Sequence, residues 1–235
     1  MKTIGLIGGL SWESTAHYYR RLNESVKQQF GGLHSAKCLI YSFDFQEIAD
    51  LQKAEKWKVA TEKMVTAGLC LKAGGAELLV ICTNTMHLMA DDVSRATGLP
   101  LIHIVDALAN DIKTHGFTKV GLLGTSFTME KPFYKERMVQ HGIELLTPAE
   151  QERTLVHDVI FSELCLGKIT PKSKAAYLNV IDHLVARGAE GVILGCTEIP
   201  LLIKQCDTPV PLFDSTNIHA DYALSIALNR FVQGK

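Results

Sequence analysis

Residues 75–85 read GAELLVICTNT and residues 188–198 read GAEGVILGCTE. Aligned without a gap on their shared Gly-Ala-Glu, they place Thr83 opposite Cys196. Each segment is an apolar run of strand length that ends in hydroxyl- or thiol-bearing residues. That is the pattern of a strand buried on both faces of a parallel sheet. In α/β sheets ligands collect beyond the carboxyl ends of such strands, so Thr83 and Cys196 are the first candidates for chemistry.

Working outward, Ile4-Gly5-Leu6-Ile7-Gly8-Gly9 resembles Val120-Gly121-Leu122-Leu123-Gly124-Thr125, and Leu101-Ile102-His103-Ile104-Val105-Asp106 resembles Val210-Pro211-Leu212-Phe213-Asp214. The matched pairs keep nearly constant separations, so the chain reads as a doubled α/β unit with small insertions or deletions. Strands are expected near 3–7, 36–43, 77–82, 100–105, 118–124, 142–146, 190–195 and 210–213. Helices are expected at 12–29, 54–73, 86–97, 106–115, 129–140, 149–166, 171–187 and 216–232. This alternation predicts two similar lobes, each a mainly parallel four-stranded sheet flanked by helices. The expected lobes are residues 1–115, with a C-terminal helix of about 216–235 packing back on them, and residues 116–215. Two such lobes related by a pseudo-twofold would bring their strand ends together around a cleft.

Composition narrows the function classes. The chain has 235 residues, 47% hydrophobic and 21% charged, with a formal net charge of −1, which is ordinary for a globular enzyme. Lys and Arg are interspersed with Asp and Glu and form no basic stripe, which argues against a nucleic-acid partner. No uncharged apolar run reaches the ~18 residues of a membrane helix, so no membrane partner is expected. Six cysteines without Cys-x-x-Cys spacing argue against a zinc site and for a reducing, cytoplasmic setting. Gly8-Gly9 belongs to neither a Gly-x-Gly-x-x-Gly fingerprint nor a P-loop, which discounts nucleotides.

Three motifs then carry a resemblance: Gly8-Gly9-Leu10-Ser11-Trp12-Glu13-Ser14, Thr83-Asn84-Thr85-Met86-His87 and Leu194-Gly195-Cys196-Thr197-Glu198. In order and spacing, across essentially the whole chain, they resemble the aspartate/glutamate racemase family. The resemblance implies an isomerase with two similar α/β lobes, an active site between them, no cofactor and a homodimeric state. It also implies two cysteines flanking the substrate α-carbon. Here the sequence departs from the pattern, because the residue before Asn84 is Thr83, and Cys82 stands one place earlier. Consecutive strand residues point to opposite sides, so only one of them can face the ligand, and the internal alignment favours Thr83.

Racemisation removes the α-proton from one face of a carbon and returns a proton to the other. Cys196 is expected to be the thiolate base, since a thiol titrates near neutrality and more readily beside a cation. Thr83 is the partner on the second face, a hydroxyl able to return a proton but reluctant to abstract one. The developing negative charge calls for donors already in place, and Gly9, Ser11, Asn84, Thr85, Thr125 and Thr197 are expected to bind the small-molecule amino-acid substrate. Glu198 and His87 are expected to polarise the catalytic groups or contact the substrate amino group. Aspartate or glutamate is the first substrate by resemblance. Gln46 and Cys165 stand where acidic-substrate members place cations, which keeps neutral amino acids open. A diacid isomerase or decarboxylase and a non-catalytic amino-acid sensor are the other readings.

Overall fold

The computed structural model describes residues 1–229. The chain falls into two compact units, Met1–His103 with the segment from His219, and Ile104–Ile218. In the first unit the elements are β1 (Ile4–Gly8), α1 (Trp12–Phe30), β2 (Cys38–Ser42), α2 (Phe45–Lys53), α3 (Trp57–Ala73), β3 (Leu78–Ile81), α4 (Ala90–Thr97) and β4 (Leu101–Ile102), with a 3-10 turn over Thr85–Met89. The second unit holds α5 (Ile104–Thr114), β5 (Lys119–Gly124), α6 (Ser126–Glu130), α7 (Pro132–Gln140), β6 (Glu144–Leu146), α8 (Glu150–Ser162), α9 (Pro171–Ala186), β7 (Gly191–Gly195), α10 (Ile199–Leu202) and β8 (Leu212–Asp214). Helix α11 (Ser215–Ala227) begins in the second unit and passes into the first.

Each sheet has four parallel strands, ordered β2-β1-β3-β4 and β6-β5-β7-β8. The order is the same in both, so the repeat read from the sequence is a repeat of topology. The central strands β1, β3 and β7 are buried at every residue, and β5 at every residue after Lys119, as near-continuous apolar runs require. Fully burying side chains such as Ile4, Leu6, Leu79 and Ile193 contributes roughly 1.5–3 kcal/mol each. In both sheets the chain reverses its direction of growth between the two central strands. Ligands bind beyond the carboxyl ends of strands at such a switch point. In the first unit that point is flanked by Gly9 and Thr83, and in the second by Thr125 and Cys196.

Several expected boundaries move for identifiable reasons. The run at 100–105 is a strand only over Leu101–Ile102, because Ile104, Val105, Leu108, Ala109 and Ile112 recur at helical spacing and are all buried. Those residues share one core with Val120, Leu122 and Leu145, so α5 packs in the second unit, although chain order groups it with the first. Ala220, Ala223, Leu224 and Ala227 of α11 join a core with Ile4, Leu6, Tyr18 and Leu78. The helix expected at 54–73 starts at Trp57, after Glu55 at a positive φ of 52° has ended α2, itself a helix not anticipated. Pro132 divides the helix expected at 129–140, since a residue before proline disfavours helical backbone. The last expected positions of α11, beyond Asn229, lie outside the described residues.

The alignment of Asp106 with Asp214 does not survive the pairing register. Ile102 pairs with Val80 and Phe213 with Ile193, so it is His103 that corresponds to Asp214. Asp106 instead lies in the first turn of α5 and receives Arg137 and His141 from α7, and Asp214 accepts the N–H groups of Thr216 and Asn217 at the start of α11.

Candidate active site

In the first unit the loop after β1 is drawn tight. Gly9 has a φ of 71°, and a Cβ there would lie 2.2 Å from the backbone nitrogen of Phe43, so only glycine fits. Its N–H donates to the Thr15 hydroxyl at 2.8 Å, and that hydroxyl donates to the Ser11 carbonyl at 3.0 Å. Ser11 caps α1 by accepting the Ser14 N–H. The Ser14 hydroxyl reaches across to the Cys82 carbonyl at 2.6 Å, fastening this loop to the end of β3. The Gly9 amide is therefore spoken for within the loop, and the tight backbone serves packing against Phe43.

Beyond β3 the alternation of side chains separates the two candidates. Cys82 is fully buried with Ile4, Leu6, Tyr18 and Val80, and burial pushes its thiol far up, so it behaves as a small core hydrophobe. Thr83 is partly exposed at the strand end, followed by buried Asn84 and Thr85. His87 is 2% exposed and does not reach solvent. Its Nδ1 lies 2.7 Å from the Thr83 carbonyl, and because a carbonyl only accepts, Nδ1 carries the proton. The ring of His87 meets those of His103 at 4.8 Å and His219 at 5.2 Å. Burial, then the two neighbouring imidazoles, hold the His87 pKa well below its ordinary value. His87 thus contacts Thr83 through the backbone carbonyl, and its surroundings disfavour the charged ring.

In the second unit Thr125 follows β5 and accepts the Thr128 N–H, capping α6. One residue past β7, the Cys196 thiol donates to Glu198 Oε2 at 2.9 Å, and the Thr197 hydroxyl donates to the same oxygen at 2.7 Å. Cys196 and Thr197 are partly exposed, and Glu198 is 9% exposed. Burial first, and the Glu198 carboxylate second, push the Cys196 thiol well above its ordinary pKa. The surroundings therefore disfavour the expected thiolate: the group beside the thiol is a carboxylate, not a cation. The Ser215 hydroxyl donates to the Leu194 carbonyl at 2.8 Å and ties the start of α11 to β7.

The structure thus places Thr83, Asn84, Thr85 and His87 at one switch point, with Gly9 and Ser11 in the loop beside it, and Thr125, Cys196, Thr197 and Glu198 at the other. The sequence did not point to His103 or His219 as site residues, and it marked Ser14 only within the motif after β1. His219 is 132 positions after His87 in the chain order, and no local motif links residues that only the sheet and α11 bring together. Among the described residues no group of three or more His, Cys, Asp or Glu could hold a metal ion, and no helix is long and apolar enough to cross a membrane.

The same architecture recurs in known proteins. A candidate Asp/Glu racemase from Yersinia pestis is 53% identical, superimposes with a TM-score of 0.93, and is aligned over 97% of this chain and 100% of its own. An aspartate racemase homologue from Pyrococcus horikoshii OT3 is 38% identical with a TM-score of 0.86, over 97% and 100%. The broad specificity amino-acid racemase RacX of Bacillus subtilis is 19% identical over 229 residues, 96% of this chain and 98% of that protein. The family model described as Asp/Glu/Hydantoin racemase matches residues 7–223 and so takes in both switch points. With both strand-end motifs inside that match, the chain belongs to the Asp/Glu/Hydantoin racemase family and is, as a racemase, an isomerase.

Proposed function

We propose that this chain racemises aspartate or glutamate without pyridoxal phosphate, as a cytoplasmic homodimer, with Cys196 and Thr83 exchanging protons at opposite faces of the substrate α-carbon. The observation that carries the reading is the Cys196 thiol on Glu198 at the end of β7. A thiol so placed becomes a base by passing its proton to the carboxylate. The thiolate then takes the α-proton, leaving a carbanion of enediolate character. The Thr83 hydroxyl, or water held by it, returns a proton to the other face and is replenished from solvent, while Glu198 gives its proton up to solvent and Cys196 is left as the thiol. The side chains of Asn84, Thr85, Thr125 and Thr197 are suited to meet the α-carboxylate, whose charge grows in the transition state. The broad-specificity relative supports neutral amino acids as the second reading of the substrate.

Because a hydroxyl is a far weaker acid than a thiol, the two directions should differ in rate. Proton NMR in D2O, starting from each enantiomer of aspartate, glutamate and several neutral amino acids, measures α-proton loss separately for each. The enantiomer whose proton faces Cys196 should exchange at least about tenfold faster, Cys196→Ser should abolish exchange, and Thr83→Cys should narrow the gap. Equal initial rates from both enantiomers would sink the assignment of the two faces. Exchange that survives Cys196→Ser would remove the thiol from the mechanism.

A further inference from the structure

The buried histidines of the first unit are not accounted for by proton transfer at Thr83. His219 Nε2 lies 2.8 Å from the Ile102 carbonyl and must donate to it, and its Nδ1 meets the Tyr18 hydroxyl, also at 2.8 Å. His87 donates Nδ1–H to the Thr83 carbonyl, and its Nε2 is buried without a hydrogen-bond partner. The Ile102 carbonyl, which accepts from His219, is also near enough to act on the His87 ring. A second proton on His87 would put a positive charge into a fully buried site against the rings of His103 and His219.

We propose that His87 is a positioning residue for Thr83: its neutral ring, held between His103 and His219, anchors the Thr83 carbonyl, and a second proton at Nε2 brings into this buried cluster a charge that drives the ring, and the anchor with it, out of place. The proposal rests on the reading of Thr83 as a site residue. The titratable groups shown against the ring are His103 after β4 and His219 from α11; Tyr18 of α1 reaches His219, Cys82 after β3 shares the core of Tyr18, and the Arg21–Asp221 ion pair joins α1 to α11. Burial pushes the Cys82 thiol up, which disfavours a thiolate in that core. The sign follows. A histidine whose folded pKa is depressed lends stability that is present above its unfolded value of about 6.5 and is lost as pH falls through the folded value.

The test uses the full-length chain labelled with 15N-histidine, with ring signals assigned by their loss in variants, and follows the Thr83 amide in parallel. At pH 7 the His87 ring should be neutral with Nδ1 protonated, and on acidification the Thr83 amide should shift with the His87 midpoint. In activity, His87→Leu should lower kcat about tenfold or more with little change in KM. His87→Asn, whose amide can still donate to the carbonyl but cannot titrate, should recover at least about threefold of that loss and remove the acid limb of the pH profile. A charged His87 at pH 7, or a Thr83 amide indifferent to the His87 titration, would overturn the proposal, as would an unaltered acid limb in His87→Asn. Coupled titration in a protein that exchanges no amino acid would uphold the anchor and sink the racemase reading.

Discussion

Replacing Glu198 with glutamine keeps the size of the side chain and removes the charge against which the Cys196 thiol rests. The carboxylate accepts that thiol at 2.9 Å, and its charge stands second only to burial in pushing the thiol pKa up. Two unit charges about 4 Å apart interact by about 4 kcal/mol at an effective dielectric near 20, which sets an upper bound of roughly three pKa units. Partial exposure of the thiol reduces the expected fall to about one or two. Below the pKa, the thiolate fraction then rises roughly 10- to 100-fold. Nucleophilicity declines as the thiol becomes more acidic, with a Brønsted slope of about 0.4–0.5, so the net gain in alkylation rate is roughly 3- to 16-fold. The assay is iodoacetamide labelling at pH 8 read peptide by peptide by mass spectrometry, because Cys70, Cys165 and Cys206 are also exposed and must be separated from Cys196. Racemase activity should fall in the same variant, since the proton acceptor is gone while the thiolate is easier to form. An unchanged or slower labelling rate would refute the account of Glu198 as the charge that keeps Cys196 protonated.

Two further perturbations probe the scaffold around the site. Gly9→Ala forces a Cβ to within 2.2 Å of the Phe43 backbone at a φ of 71°, and urea denaturation should show a loss of about 2–4 kcal/mol. A loss below 1 kcal/mol would mean that the loop after β1 rearranges freely. Asp106→Asn weakens the two-pronged grip on Arg137 and the bond from His141, all at 2.7–2.8 Å with side chains about a quarter exposed, and should cost about 1–2 kcal/mol in the same assay without changing proton exchange. A strong effect on exchange would give Asp106 a role beyond joining α5 to α7.

The sequence by itself determined the eight strands, their pairing into two equivalent sets, and the strand-end positions of Thr83 and Cys196. Those features are local: an apolar run of strand length, closed by a hydroxyl or thiol and repeated with the same flanks, reports burial and its end without help from the rest of the chain. Short helices such as α2 and α10 escaped, because a few residues carry too little periodicity and Asp44 caps α2 from within what reads as a loop. The tertiary structure alone decided three things. It assigned α5 to the second unit, because a helix packs where its apolar face is buried and not where chain order puts it. It raised the pKa of Cys196, because a thiol's acidity depends on its burial and on a carboxylate whose orientation no spacing reveals. And it gathered His87, His103 and His219 into one buried cluster, because contacts between residues far apart in the chain are made only when the strands and helices carrying them have packed.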